Sequence, residues 1–582
     1  MKKAVREKRK TAGHFNDLLL PVILVLCVLP FVVYLAEYDT GFSQHSWNSD
    51  YSIVQDFYTC YRRTIFLLVT AFTVVILAFR LGLYREKTKP VRVFVPLVVY
   101  SIFVALSAMF SKNQKASWLG GTVSFEGAFV LIGYCVMAFY TYQILESEYD
   151  YSSVMHAILV MFALISVPGW FQVFGHDLLN NEWVQRLVMP DNLFAEYGGQ
   201  IEDLFTGNHV FLTLYNPNFA AIFLIMFSAV FAVFFISADN KKERILYGIF
   251  LVDAWILCWF TYTRAAIVAL VVIAIAFFGM RHKNTGTEKK AVFLMAGAAV
   301  ILFAVLFLAD ALGDGRYLSR ILDQKKDDRL ESIVTSQEGV TITYDGRPYL
   351  FAVENGSVKV QDAQGNEIEL EETADGDFIT PFSDSCYVNA VQLDAKEELV
   401  FLLDGYTLEF SKLAAGYYYE TEWGKADELA EIPHANFHGI EYLGSGRLYI
   451  WSRILPMLKH DILKGSGPDT FAEVFPQNDY VGKMIYAEST GRIMERAHND
   501  FLAHWVQTGL LSPLALLVFY VLFFRKTIPY YRNCEFTGVK NKLGFGGFLG
   551  CVGYLVCCMF SDSTLYTTPA FYVFLGIALA AV

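Results

Sequence analysis

Apolar residues come in long blocks along this chain. Taking roughly 17 to 25 residues as a membrane-crossing length, about twelve blocks qualify. They run over 18–35, 64–84, 93–110, 125–145, 154–174, 210–237, 244–261, 264–280, 291–309, 510–524, 546–560 and 566–582. A long segment separates the ninth block from the tenth, and its pattern changes twice. From about Glu331 to Phe410 runs such as "VTITY" and "VKVQ" alternate with "YDGR", "ENGS", "AQGN" and "LDGY", which are hairpin turn sequences and predict a small β module. In "GRLYIWSRILPMLKH" (446–460) the period becomes helical, with Leu448, Trp451, Ile454 and Leu458 on one face. That pattern predicts an amphipathic helix on or just above a membrane. "GSGPDTF" (465–471) reads as a turn-rich loop, and a short helix from Asn499 to Thr508 leads into the tenth block.

Composition agrees with the blocks. Hydrophobic residues make up 55% of the 582 positions, charged residues 18%, and the mean hydropathy is +0.38, outside the range of soluble globular chains. A net charge of -12, with no basic patch among aromatics, excludes a nucleic-acid partner. The nine cysteines form no CxxC pair; six lie in apolar blocks, and Cys60 and Cys386 are the two that could meet on one side. The basic tail "MKKAVREKRK" precedes the first block with no small-residue cleavage site, so an uncleaved first span is expected.

Lysine and arginine bias sets the orientation. The tail, "RLGLYREKTKPVR" (80–92), "DNKKER" (239–244), "RHKNTGTEKK" (281–290) and "RKTIPYYRNCEFTGVKNK" (525–542) fall on one side when the spans alternate, and that side is the cytoplasm. The acidic loop 146–153 lands there too. The expectation is an all-α polytopic membrane protein of about twelve transmembrane helices, with a small β-rich extracytoplasmic insertion and outer amphipathic helices. Its parts are 1–310, with about nine spans, the β-rich insertion 311–435, the outer helices 436–509, and the C-terminal spans 510–582.

Three groups at the outer boundary bear on chemistry. Arg264, in "TYTRAAIVAL" (261–270), occupies a tight outer turn, where an arginine is expensive unless it snorkels or is paired. Arg447 opens the amphipathic helix, as a solvated cap or a ligand group. Arg453, six positions on, points elsewhere and is the weaker candidate. His498 sits among Arg492, Arg496 and Asp500. Asp500 and His504, four apart, can pair, which leaves His498 free to handle a proton. Two arginines and a histidine suit a phosphate or diphosphate, because the guanidinium fork binds phosphate oxygens bidentately. No DxD-type cluster stands near, and "DQKKDDR" (323–329) reads as a solvated charge run, so a metal-independent reaction without cofactor is expected.

"RAHNDFLAHWVQTGLLSPL" (496–514), "SGRLYIWSRILPMLKHDILKGSGPDTF" (445–471) and "TYTRAAIVAL", in this order, resemble the signatures of the O-antigen ligase family. "LTLYNPNFAAIFL" (212–224) and "SWLGGTVSFEGAFVL" (117–131) are weaker echoes of the same family. Gln507 stands where many members carry a glutamate, and the β insertion lies outside the common core. The resemblance implies a GT-C-type fold in a bacterial cytoplasmic membrane, with the N-terminus cytoplasmic and the large loop extracytoplasmic. It also implies transfer of a glycan from undecaprenyl diphosphate to a lipid, glycan or protein acceptor. The family's catalytic groups map onto His498, Arg264 and Arg447. Asn499, Asn216 and Asn218 are candidate hydrogen-bonding partners for substrate, each equally a helix cap; Tyr262 and Trp451 could stack on sugar, and Arg496 could assist the anion. Two other classes fit the spans: an exporter of lipid-linked sugar, and an envelope assembly protein whose β module binds polymer.

Overall fold

The computed structural model describes residues 16–49, 52–83, 88–201, 207–280, 286–312 and 329–582, apart from 355, 374–375, 394–395, 404, 438, 460–461 and 488. The basic tail, residues 84–87 and 281–285 of the basic loops, and 323–328 of the charge run lie outside the described residues.

The chain is mostly helical. Apolar helices α1 (Asp17–Phe31), α2 (Cys60–Leu83), α3 (Arg92–Met109), α4 (Ala128–Ile144) and α5 (Glu148–Val173) precede α6 (Pro217–Ile236), α7 (Lys241–Trp259), α8 (Arg264–Met280) and α9 (Gly286–Leu312). After the polar segment come α10 (Arg447–Met457), α11 (Tyr480–Ala487), α12 (Asp500–Thr508), α13 (Leu511–Asn533), α14 (Val539–Cys558) and α15 (Thr568–Ala581). Among the described residues seven helices are long and apolar enough to cross a membrane, α2, α3, α5, α6, α9, α13 and α14; four more, α1, α4, α8 and α15, are apolar but shorter.

The bundle is built around α6, which is buried over most of its length. It packs against α14 through glycines: a Cβ on Gly546 would sit 2.8 Å from Val230 Cα, and one on Gly550 2.9 Å from the Met226 carbonyl oxygen. Small residues let helix backbones approach in this way within membranes, where apolar burial gives no preference for helix over lipid. At the opposite extreme, α9 has almost no fully buried residue among those described and touches the bundle through Met295, Ala299, Leu302 and Phe303.

The predicted block at 210–237 is shorter as a helix, because Asn216 caps α6 and Pro217 occupies its first turn, so residues before them take an irregular path. Arg62, fully buried, donates to the carbonyls of Pro30, Val32 and Thr213 and lies over the Tyr566 ring at 4.8 Å. It satisfies the Thr213 carbonyl on this irregular path together with carbonyls at the end of α1.

Described parts of three basic segments, at 89, 239 and 540–542, gather at one end of the bundle with the acidic loop. Lys89 Nζ donates to the carbonyls of Tyr142 and Leu145, Lys542 pairs with Asp239 at 2.7 Å, and the Lys540 amide donates to Glu148.

The β structure sits at the other end. A hairpin of β1 (Ala36–Asp39) and β2 (Ile53–Asp56) follows α1. The module is two antiparallel meanders. The first runs β3 (Leu330–Thr335), β4 (Val340–Tyr344), β5 (Arg347–Glu354), β6 (Ser357–Gln361) and β7 (Glu367–Ile368). The second is β8 (Phe378–Thr380), β9 (Ser383–Leu393), β10 (Lys396–Leu403), β11 (Tyr406–Leu413), β12 (Gly416–Glu420) and β13 (Ala426–Asp427). Asp345 and Gly346, both at positive φ, make the tight β4–β5 turn that "YDGR" predicts. Strand structure continues past the predicted end at Phe410, because Tyr417 and Tyr419 of "GYYYE" turn inward onto the module core. No disulfide joins Cys60 and Cys386, and the latter is buried in that core.

The module is docked to the helices. Its core includes Tyr480 and Met484 of α11 and Phe42 and Trp47 from the loop between β1 and β2. Lys425 Nζ donates to the carbonyls of Ser43, His45 and Asn48, and Asp427 accepts from Ser46 and Tyr480.

Candidate functional site: a charged pocket at the module end

Five segments meet around the "RAHND" turn, and glycine chemistry lets them. The loop "GSGPDTF" wraps the C-terminal end of α12: the Ser466 and Gly467 amides donate to the carbonyls of Val506 and Gln507. A Cβ on Gly467 (φ +120°) would collide with the hydroxyls of Ser111 and Ser117, and one on Gly465 (φ +65°) with the Gln507 backbone. Asp469 then clamps the loop before α4. One carboxylate oxygen accepts from the Gly121 and Thr122 amides and the other from Ser124. The two segments that echo family motifs are thus fastened to each other.

Arg264 is the first residue of α8, and its guanidinium donates to Ser445 Oγ at 2.8 Å. Ser445 and Gly446 both have positive φ and lead directly into α10. Arg447, the first residue of α10, donates to the Gly444 carbonyl at 3.1 Å, while its Nε is buried with no hydrogen-bond partner among the described residues. The two arginines therefore flank one turn, and the charge of Arg264 bears on Arg447.

Trp451, one turn along α10, donates from Nε1 to the Ala497 carbonyl at 2.9 Å, which ties α10 to the residue before His498. His498 has φ +52°, a strained value for histidine. Its amide donates to Asp562 Oδ2 at 3.0 Å, and its Nδ1 lies 3.6 Å from the same oxygen. Burial first, then the charges of Arg447, Arg496 and Arg492, hold the imidazole far below the usual histidine range. With its side chain still 38% exposed, it stands at the rim as a neutral ring at neutral pH.

Arg496 is half-buried and lies over Phe219 at 5.5 Å. Burial works against its charge, and Asp562, Glu126, Tyr566 and Glu495 more than offset that. Asp562 lies in the loop between α14 and α15. Burial pushes its carboxyl up to about 6, against the pull of Arg496, and its Oδ1 has no hydrogen-bond partner among the described residues. Sequence reasoning missed it. The only signal was an acid inside the short polar run "SDSTLYTT" between two apolar blocks.

The remaining candidates hold this arrangement in place. Asn499 caps α12 by accepting from the Leu502 amide, and its Nδ2 donates to the Met559 carbonyl. Asn216 caps α6, and Asn218 accepts from Thr263, next to Arg264. Tyr262 is buried, with its hydroxyl donating to Asn208 at 3.0 Å. Asp500 lies 3.6 Å from His504, the pairing expected from their spacing, and also accepts from the Ser563 amide. The predicted surface helix is instead half-enclosed. Tyr449, Ile450 and Ile454 of α10 pack with Phe471, Phe475 and Val506, and Arg453 is buried against Asp479 at 2.7 Å. No group of three or more His, Cys, Asp or Glu side chains that could hold a metal ion occurs among the described residues.

The fold and this cluster define a membrane protein of several apolar helices with arginine, histidine and carboxylate side chains gathered at one end. No family model matches the chain, and no curated protein sequence matches it.

Proposed function

We propose that this chain is a membrane glycosyltransferase of the O-antigen ligase or polymerase type, a twelve-span GT-C-like protein of a bacterial cytoplasmic membrane. The module end is extracytoplasmic and the basic end cytoplasmic, in keeping with the positive-inside bias. The donor is a glycan on undecaprenyl diphosphate, and the acceptor is a hydroxyl on a lipid, a glycan or a protein.

The observation that carries the reading is the meeting of Arg264, Arg447, His498 and Asp562 at one end of the helices. Arg264 and Arg447 grip the diphosphate, and the unpaired Nε of Arg447 is an available donor for it. The acceptor hydroxyl gives its proton to His498 while its oxygen bonds the anomeric carbon. The bond from that carbon to the diphosphate oxygen breaks, and the electron pair leaves with the polyprenyl diphosphate. The arginines meet the charge as it develops. Asp562 fixes the ring through the backbone and stabilises the imidazolium that forms.

Binding is coupled to proton affinity. Burial first and then the arginine field keep His498 unprotonated; the incoming diphosphate cancels part of that field, so its basicity rises when donor is present. Alanine at His498 or at Arg264 should abolish glycan transfer while expression and membrane insertion persist. Mass spectrometry of lipid-linked glycan reads the result: accumulation of the intermediate supports transfer, and retained transfer in both variants removes the assignment.

A further inference from the structure

A second cavity, of about 520 Å³, opens between the β module and the helices that carry the charged pocket, inside the roughly 300–1,000 Å³ of small-ligand sites. Glu331 of β3 lines one wall; Arg453 of α10 and Asp479 and Tyr486 of and beside α11 line the other; Asn436 and Glu441 lie on the connecting segment. Glu441 is only 5% exposed. Its Oε1 accepts from the Phe437 amide at 3.0 Å, and its Oε2 is buried with no hydrogen-bond partner among the described residues, an acceptor costly to leave unmet. Arg453 is fixed on Asp479 and on Ser452 Oγ at 2.8 Å. Tyr486 stacks on Tyr449 at 5.4 Å, giving the cavity a rigid aromatic element.

We infer that this cavity is a subsite for a neutral oligosaccharide, with sugar hydroxyls donating to Glu441 and Glu331 and accepting from Arg453, and a sugar ring resting on Tyr486. The lining argues for neutral ligand: its carboxylates outnumber its cations, so an acidic chain meets repulsion, whereas hydroxyls satisfy carboxylate and guanidinium alike. Location argues for a glycan in transit. Arg447 and Arg453 are six residues apart on α10, about 9 Å along the axis, so a chain of a few sugars at the transfer site reaches the cavity. That connection rests on the transferase reading; the binding itself does not.

The test is calorimetric titration of the full chain in nanodiscs with hexasaccharides of α-1,4-glucose, β-1,4-glucose and β-1,4-N-acetylglucosamine, and with hexagalacturonate. At least one neutral chain should bind and the acidic one should not, and Glu441→Ala or Tyr486→Ala should weaken binding by about tenfold. Glu331→Gln, a milder change at the module wall, guards against misfolding, with melting temperature recorded for each variant. Binding of none of the neutral chains, preference for the acidic one, or unchanged affinity in well-folded variants overturns the inference. His498→Ala separates it from the transferase reading. Binding by a wild-type chain that transfers no glycan sinks the transferase reading alone, and transfer that survives His498→Ala removes only the role of that residue; transfer lost in His498→Ala with no chain bound in any variant sinks the subsite alone. In the transfer assay, a raised KM for acceptor in Glu441→Ala assigns the bound chain to the acceptor, and a raised KM for lipid-linked donor assigns it to the donor.

Discussion

Replacing Asp562 by asparagine keeps the shape of the loop and removes one charge. Its Oδ2 takes the His498 amide at 3.0 Å and lies 3.6 Å from the ring, while the other charges bearing on that ring are arginines. At an effective dielectric near 20, opposite charges about 4 Å apart attract by about 4 kcal/mol. The imidazolium that forms during transfer would lose most of that support in the variant. After partial compensation by the asparagine oxygen, a loss of about 2–4 kcal/mol at the transition state is expected, a fall in turnover of roughly 30- to 1,000-fold. Binding of a lipid diphosphate should not weaken, because an anion has been removed beside Arg447 and Arg496. Stability should respond with a definite sign. Asp562 titrates higher when folded, about 6 against an ordinary 3.8, so its contribution to stability is present at low pH and is lost as pH rises through about 6. The melting temperature of the variant relative to wild type should therefore climb between about pH 4 and about pH 6 and level off above that. Turnover measured with lipid-linked glycan, calorimetry with farnesyl diphosphate and thermal melts at several pH values check the three statements. Turnover within threefold of wild type, at unchanged diphosphate affinity, would refute a role for Asp562 in holding the charge on His498.

Farnesyl diphosphate should bind more tightly as pH falls through the ligand-bound pKa of His498, because the ligand raises a pKa that arginines hold down; calorimetry should find that slope reduced in His498→Ala. Asp479→Ala leaves Arg453 buried without its partner, a loss of about 3–5 kcal/mol, read as a large drop in melting temperature with loss of transfer. Gly467→Ala puts a methyl group against Ser111 and Ser117 at a backbone angle that alanine resists. Its melting temperature and transfer should both fall, whereas Gly175→Ala, at positive φ but with open space around its Cβ, should cost stability only.

The apolar blocks were legible because lipid-length hydrophobic runs have few other meanings, and the helices fall where those runs lie. Where a run was broken by local chemistry the reading overshot. The stretch before Pro217 is apolar enough to join the span, yet a capped proline start and the buried Arg62 give it another path. Arg264, Arg447 and His498 stood out in the sequence as charge at the ends of apolar runs. Asp562 did not, because its significance depends on α12 and the α14–α15 loop meeting, a contact separated by more than sixty residues. The asparagines were ambiguous for a local reason: the same side chain that could bind sugar also caps a helix, and Asn216 and Asn499 are both engaged as caps.

The β module bears on the pocket through packing. Its core incorporates Tyr480 and Met484 of α11, and Asp479, preceding that helix, holds Tyr449 and Arg453 of α10. Helix α10 in turn presents Arg447 and, through Trp451, fixes the residue before His498. A path of packed and hydrogen-bonded groups thus runs from the strands to the guanidinium that faces Arg264. Excising residues 330–427 would strip the cover from α11 and remove the Lys425 anchor on the loop at 43–48. Loss of transfer after such an excision would report a disturbed pocket as readily as a missing acceptor site. Substitutions confined to the cavity wall, at Glu331 or Glu441, leave that path in place, and only they can separate a module that selects glycan from one that braces the helix beneath it.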